Sequence, residues 1–433
     1  MDEENGTAIQ TFVVVDDMMD HQNDKGAPNG GFTAWLQVAV SFMIHFVVIG
    51  IASIFGVFQE AYTKEAIFFG TPTIYVTLVG AAGTLFLFIF GPISGYICAK
   101  FGYRHACASG AVIMTLGLSI GALSTEFWHL IVTQGILFGI GANMAWVPSL
   151  AIISHWFDKR KGLAMGISVA GGGVGGLTLA PLTRFLITVL GWPSTLVIIS
   201  CGCGFILLVS AYFMQTRLPP AKHKDFDFPS FLRDSRFLRY FFIIGCIFWG
   251  YFIPVFFLSL YAVDQGMTPT QGALIIALLN AGSSAGRLTM GICADYLGHI
   301  KMLSLCLYVS AISVLIIWPF STTFGMLSFF SVIFGFFIGG AISIAPTGIV
   351  DIFGTKHIGT ITGMIYPGGG VGNFAGPLIS AWLLDKFTST PRLIGVAHQT
   401  YFLPVIILNG CILLIGGSIS FSFIKWGQAG KHH

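Results

Sequence analysis

The chain alternates between long apolar stretches and short polar connections. A transmembrane helix needs about 20 predominantly apolar residues, and twelve stretches of roughly that length can be marked. They lie near 34–58, 73–97, 106–124, 128–153, 163–190, 193–213, 238–263, 271–293, 301–320, 324–350, 360–385 and 400–425. The pattern therefore predicts an all-α membrane protein with twelve transmembrane helices.

The longest connection divides these segments six and six. It covers 214–237, carries charges and prolines, and is predicted to be a cytoplasmic linker between bundles at 32–213 and 238–425. Residues 1–31 hold seven acidic residues against one lysine, a composition typical of a disordered tail and unlike a secretory signal. Residues 426–433 form a short C-terminal tail.

An internal repeat relates the two halves. Gly95–Gly102 (GYICAKFG) and Gly291–Gly298 (GICADYLG) lie 196 residues apart, as do Pro181 and Pro377, which end two glycine-rich stretches. Because each copy holds an even number of spans, the two six-helix bundles have the same orientation and are related by a parallel pseudo-two-fold axis along the membrane normal. Two like bundles around a central cavity favour transport by alternating access.

Composition and charge narrow the class of protein. Charged residues make up 9% of the chain, against about 25% in soluble domains, which excludes an ordinary soluble enzyme. Loops on one side of the predicted membrane hold thirteen Lys and Arg residues and loops on the other side three. The positive-inside rule then puts both termini in the cytoplasm, and we expect the plasma membrane.

No Ser-His-Asp set, paired carboxylates or metal-ligand cluster is apparent in the sequence. An enzyme, a metal or other cofactor, and a nucleic-acid partner are therefore not expected. The expected partners are a small-molecule solute, the lipid bilayer and protons, while the sequence does not indicate any ancillary protein.

The two repeated loops resemble the signature loop of the major facilitator superfamily. The matching residues are Gly95, Lys100, Gly102 and Arg104 in the first copy and Gly291, Asp295 and Gly298 in the second. The resemblance implies an interhelix clamp that favours one access state. Ala99 occupies the position of the family's aspartate in the first copy, and Tyr296 that of a basic residue in the second.

Two further segments are similar to the monocarboxylate transporter family. Pro28–Trp35 (PNGGFTAW) looks like the entry to that family's first helix in its fungal members, and Trp156–Gly171 (WFDKRKGLAMGISVAG) follows its loop into the fifth segment. The resemblance covers the chain from residue 28 onward. It implies transport of a monocarboxylate or related organic anion, with proton symport.

Polar groups inside the spans provide the candidate site. A charge in mid-membrane is costly unless it faces a cavity or a partner, and of the basic residues only Arg184 and Arg287 lie within spans away from their ends. Arg287 is the predicted anion contact, where the resemblance also places a substrate-linked arginine; hydrogen bonding to backbone carbonyls or the headgroups is the alternative. The predicted substrate-binding residues are Arg287, Ser283, Asn280, Asn143, Tyr366 and Asn373.

His45, in the middle of the first segment, is the candidate for proton coupling because histidine titrates near neutral pH. A neutral histidine bonded to a neighbouring helix is the alternative. The family's proton-coupled members have an aspartate one turn before the arginine, where this chain has Ser283, and a lysine in the first segment, which this chain lacks.

Small residues at every fourth position allow helices to approach closely. The glycines predicted to serve helix packing are Gly171, Gly172, Gly175, Gly368, Gly372 and Gly376. The first group also satisfies GxGxxG, but it lies in an apolar helix and not after a strand, so nucleotide binding is disfavoured.

The sequence thus predicts a secondary active transporter of a small organic solute, with a monocarboxylate or related organic anion as the expected substrate. Two alternatives stay open: a transporter of a neutral or riboflavin-like solute with the same fold, and a nutrient sensor that transports nothing.

Overall fold

The computed structural model describes residues 29–64, 73–217, 228–355, 357–387 and 402–429, and every regular element in these ranges is a helix. Twelve helical passes, here α1 to α12, follow one another along the chain. They are α1 (Phe32–Ser53, continued by Phe55–Lys64), α2 (Thr73–Ile89, continued by Gly91–Phe101), α3 (Tyr103–Gly121), α4 (Phe127–Trp156), α5 (161–190), α6 (192–213), α7 (Ser235–Asp264), α8 (Pro269–Leu297), α9 (His299–Phe320), α10 (Phe324–Phe353), α11 (Ile358–Ile365, continued by Pro367–Phe387) and α12 (Leu403–Ala429). A short helix, Phe228–Arg233, precedes α7.

Seven of the described helices are long and apolar enough to cross a membrane, or eight if the bent α2 is counted as one span. One of the seven, Lys161–Phe213, contains two passes, since it bends at Gly191, where φ is 76°. The remaining passes, α3, α8 and α11, are richer in glycine and polar residues. These helices agree with the twelve predicted segments, whereas residues 1–28 of the predicted tail and 218–227 of the predicted linker lie outside the described residues.

Side-chain caps define where several helices begin. The Asp234 carboxylate accepts a hydrogen bond from the backbone N–H of Arg236 at the start of α7. Thr268 and Gln271 form a reciprocal capping box at the start of α8, with Pro269 in the first turn. Such caps satisfy N–H groups that have no partner within the helix, which is why these passes start at the polar connections.

Glycines hold the same pair of helices together in each bundle: α1 packs on α5, and α7 packs on α11. Added methyl groups would collide with the carbonyl groups of the neighbouring helix at four of the predicted packing glycines. These pairs are Gly171 with Phe42, Gly175 with Phe46, Gly368 with Phe241 and Gly372 with Gly245. Gly172 lies against Ile49, and Gly376 against Trp249.

The repeated loops lie at one end of the molecule. Gly102 and Gly298, again 196 residues apart, both have positive φ angles, 87° and 94°, a conformation that glycine adopts without strain. We call this end the basic end, because the loops there carry Lys100, Arg104 and the Lys159–Lys161 run.

The two bundles meet through α5 with α8 and α2 with α11. Under the repeat, α2 corresponds to α8 and α5 to α11, so these two contacts are equivalent. Both include very close glycine approaches near the basic end: Gly162 to Gly291, and Gly91 to Gly363. The fold therefore brings the inner faces of both halves together near the basic end, next to the candidate site.

Candidate functional site

Arg287 lies between α8 and α5, toward the basic end, with 6% of its surface exposed. Its Nη1 donates a hydrogen bond to the backbone oxygen of Val169, 3.1 Å away, across the interface between the halves. Its Nε has no hydrogen-bond partner, and no acidic side chain pairs with it among the described residues. A buried guanidinium with unused donors is a ready site for an anion.

Polar residues continue from Arg287 away from the basic end. Ser284, one turn earlier on α8, lies against Gly173 of α5. Asn280, a further turn along, is exposed and accepts a hydrogen bond from the Tyr251 hydroxyl of α7 at 3.4 Å. The face of α8 that carries Arg287 therefore continues with polar groups toward the opposite end of the molecule.

His45 faces the same region from α1. Its Nδ1 donates to the backbone oxygen of Ser41, 2.8 Å away, because a carbonyl can only accept. Its Nε2, which is then the acceptor of a neutral imidazole, has no partner among the described residues. Arg287 is near enough to interact electrostatically with this ring.

Four aromatic rings form a cluster, the ring cluster, between the halves. Phe88 of α2 and Trp146 of α4 come from the first half, and Phe248 of α7 and Tyr366 of α11 from the second. Ring centroids are 4.6 Å apart for Phe88 and Phe248 and 4.8 Å for Trp146 and Tyr366. The His45 ring meets Trp146 edge-on at 6.2 Å, which joins the cluster to the polar groups.

The other predicted residues divide into two groups. Asn143 is buried beside the ring cluster, where its Nδ2 donates to the backbone oxygen of Leu87, and Asn373 is buried further along α11. Ser283, by contrast, packs against Gly339 of α10 inside the second bundle. The structure thus joins Arg287 to Asn143 and Tyr366 through His45 and Trp146, with Asn280 further along α8, and places Ser283 away from them.

Sequence reasoning missed three rings of the cluster and the Tyr251 hydroxyl. Phe88, Trp146 and Phe248 are aromatic residues in apolar spans, and such residues usually serve only for packing. The Trp146 indole N–H, buried with no described partner, has no counterpart at the equivalent position of the second repeat, which is Ile342.

The second repeated loop makes a charged contact between the halves at the basic end. Both carboxylate oxygens of Asp295 accept backbone N–H groups at the start of α5, from Gly162 at 2.7 Å and from Leu163 at 2.9 Å. A carboxylate at a helix N-terminus also interacts favourably with the helix dipole. Asp295, on α8, therefore caps a helix of the opposite half.

His299 and Asp351 extend this contact. The Nδ1 of His299 lies 2.7 Å from Asp351 of α10, and its Nε2 lies 3.4 Å from Asp295. Lys161 of α5 pairs with Asp351 at 3.6 Å and with Asp158 at 3.2 Å. Two carboxylates of the second half are thus bound to the first turn of α5.

The first repeated loop makes its contact without a carboxylate. Ala99 stands where Asp295 does in the second copy, and Gly95 packs on Thr360 of α11, whose hydroxyl lies 3.4 Å from the Gly95 oxygen. Lys100 lies 5.2 Å from the Phe101 ring centroid, and the Arg104 guanidinium lies 4.8 Å from that of Tyr212. These basic side chains stay within their own half.

Gly162→Ala should obstruct closure of the basic end, because a methyl group there would collide with the Gly291 carbonyl. Overpacking of this kind typically costs about 1–3 kcal/mol, so we expect transport to fall by about five-fold or more. Gly202→Ala is the matched control, since a methyl group at Gly202 meets no atom. Equal transport rates in the two variants, measured in reconstituted vesicles, would contradict the requirement for this contact.

The sequence matches the Major Facilitator Superfamily over residues 32–291 and 240–428. It is 32% identical over 362 residues to the MFS-type transporter pynF of Aspergillus niger, covering 80% of this chain and 82% of that protein. It is 30% identical over 415 residues to the aspyridones efflux protein apdF of Emericella nidulans, covering 93% and 80%. These relatives do not confirm the narrower resemblance to monocarboxylate transporters.

Two solved structures have a similar fold. The human organic anion transporter MFSD10 (TETRAN) has a TM-score of 0.70 at 14% identity, with 89% of this chain and 99% of that chain covered. The E. coli fucose:proton symporter FucP has a TM-score of 0.69 at 14% identity, with 90% and 98% covered. At this level of identity the likeness concerns the fold alone.

Proposed function

Because the chain belongs to the major facilitator superfamily and is a multi-pass transporter of small solutes, we propose that it moves an organic anion by alternating access. The observation that carries this proposal is the buried guanidinium of Arg287, which has an unpartnered Nε and no described acidic partner. A charge at this depth is costly unless it is compensated. A carboxylate or another acidic oxygen of the solute would supply the compensation.

We propose export as the direction of transport. One relative with 30% identity is named an efflux protein for aspyridones, which supports outward movement of a natural product. The positive-inside count supports a cytoplasmic basic end with both termini inside, and we propose the plasma membrane as the location. The contact of Asp295 with Gly162 joins the halves at that end, which supports a state in which the halves open on the opposite, outward side to release solute.

His45 is proposed to couple transport to protons. Its free Nε2 can accept a proton, and the resulting positive charge would lie within electrostatic range of Arg287. An anion bound at Arg287 would favour that protonated form, because opposite charges attract. Anion binding and protonation are then linked, as a coupled carrier requires.

Reconstituted vesicles provide the test of solute class. We expect saturable movement of an organic acid from a panel that includes lactate, 2-naphthoate and neutral riboflavin, and a rate that depends on an imposed pH gradient. Saturable movement of riboflavin alone would overturn the anion proposal.

His45→Gln should flatten the dependence of the transport rate on the pH gradient while it preserves the bond to the Ser41 carbonyl, since an amide can donate but does not titrate. The matched control is His105→Gln. His105 makes the same bond to the carbonyl four residues earlier, at 2.9 Å, but is exposed at the basic end. A full response to pH in His45→Gln would refute the proton-coupling role.

A further inference from the structure

We propose that the ring cluster of Phe88, Trp146, Phe248 and Tyr366 recognises a planar, conjugated organic acid, and that Trp146 determines this specificity. The proposal rests on the proposed function and narrows its solute from any organic anion to those with a flat π-system.

The cluster is shared between the two halves. Phe88 lies 5.4 Å from Trp146 with the rings perpendicular, and 6.5 Å from Tyr366 with the planes only 10° from parallel. Phe248 lies 6.2 Å from Tyr366 and 4.6 Å from Phe88. Because the contacts of Phe88 with Phe248 and of Trp146 with Tyr366 cross the interface, they must change when the halves move apart. Each half then presents ring faces and edges to the space that forms between the halves.

The break in α11 makes room for the rings. Tyr366 separates the two helical parts of α11, and the glycines after Pro367 leave space on both sides. A methyl group at Gly369 would press on the Phe248 ring, and one at Gly370 would press on Phe88. Side chains at these two positions would occupy the space that the rings use. The two glycines therefore allow aromatic side chains from both halves to pack at the break in α11.

Three buried polar atoms with no described partner lie in or beside the ring cluster, and a fourth lies on the far side of His45. The first three are the Trp146 indole N–H, the Nε2 of His45 and the Oδ1 of Asn143, the fourth is the Nε of Arg287, and each of these side chains is more than nine-tenths buried. Since buried polar groups are normally hydrogen-bonded, four such atoms in one region indicate a polar occupant. Two of them donate and two accept when His45 is neutral, which suits a solute with acidic oxygens and a hydroxyl or N–H group.

Ring geometry favours a conjugated solute over an aliphatic one of equal size. Aromatic pairs gain energy beyond the area they bury, from the positive edge of one ring on the negative face of another. Phe88 and Tyr366 are nearly parallel, while the Trp146 ring is nearly perpendicular to each of them. A flat π-system bound between the rings can form stacked and perpendicular contacts like those the rings now make with one another, whereas a saturated ring can only fill the volume.

Calorimetric binding to the full chain in lipid nanodiscs, with two probe acids, tests the proposal. The probes are 2-naphthoate and its saturated counterpart decahydro-2-naphthoate, which share the carbon skeleton and the charge. We expect the wild type to bind 2-naphthoate about ten-fold more tightly than decahydro-2-naphthoate, because several ring contacts each contribute.

Three variants test the role of Trp146. Trp146→Leu should abolish this preference. Trp146→Phe should retain it at about three-fold weaker affinity, because the ring stays and the N–H donor is lost. Trp128→Leu, at an exposed ring far from the cluster, should match the wild type.

The outcomes separate this inference from the proposed function. Equal affinities of the wild type for the two acids would overturn the aromatic specificity while anion transport stands, and so would a preference that survives in Trp146→Leu. Absence of saturable binding and vesicle transport for both acids would overturn the proposed function together with this inference. Should Trp146→Leu fail to fold, the wild-type ratio and the behaviour of Trp146→Phe decide.

Discussion

Arg287→Gln is expected to abolish saturable transport of an organic anion while leaving the protein folded in the membrane. Removing one partner of a buried, hydrogen-bonded charge pair costs about 2–5 kcal/mol, so we expect at least about a thirty-fold loss in apparent affinity. Glutamine can still donate to the Val169 carbonyl, which keeps the local contact between α8 and α5. The measurement is the concentration dependence of anion transport into vesicles, with the protein content of each vesicle batch determined in parallel.

Two further variants make the result specific. Arg287→Lys keeps the charge but loses the planar fork of donors, and we expect partial transport with weakened affinity. Arg184→Gln removes the other arginine within a span, which lies near the end of α5 opposite the basic end, and transport should remain near the wild-type level. Unchanged anion affinity in Arg287→Gln would eliminate the anion site.

Asp295→Ala is expected to loosen the basic end. Loss of an N-cap costs about 1 kcal/mol and loss of its charge–dipole interaction up to about another 1 kcal/mol. The backbone amides of Gly162 and Leu163, which donate to Asp295, should then exchange with solvent about ten-fold faster. Hydrogen exchange measured by mass spectrometry on peptides spanning 157–168 would report this change.

Asp234→Ala is the matched control for that experiment. Asp234 also caps a helix N-terminus, but its partner Arg236 lies on the same segment, so no contact between the halves is lost. Faster exchange should then be confined to the start of α7. If Asp295→Ala left the exchange of 157–168 unaltered, the carboxylate would not hold the basic end closed.

The helical passes could be predicted from the sequence because the bilayer fixes how long an apolar helix must be. All twelve predicted segments coincide with helical passes, and the loops 196 residues apart have matching glycine conformations at Gly102 and Gly298. Hydropathy and periodicity do not report which helices meet. The contact of Asp295 with the start of α5 therefore required the structure, although the loop that carries Asp295 was recognised.

The candidate site was predicted less completely. Arg287 could be identified because a charge within a membrane span is costly unless it faces a cavity or a partner. Ser283, one turn earlier, shares its helix face by spacing, yet its short side chain stays against α10, whereas the long arginine side chain reaches Val169. The ring cluster could not be selected from a chain with 41 Phe, 12 Tyr and 9 Trp, because apolar spans use aromatic residues throughout as packing groups.

The unequal repeated loops have a consequence for how the molecule would open. The seam between α5 and α8 contains Asp295, Lys161 and Asp351, whereas the seam between α2 and α11 closes on glycine backbone near Gly91 and Gly95. Dissolved ions screen attractions between partly exposed charges but leave van der Waals contact unaffected. A rise in ionic strength would thus weaken one seam alone, and the halves would rotate apart about the uncharged seam as a hinge instead of separating evenly.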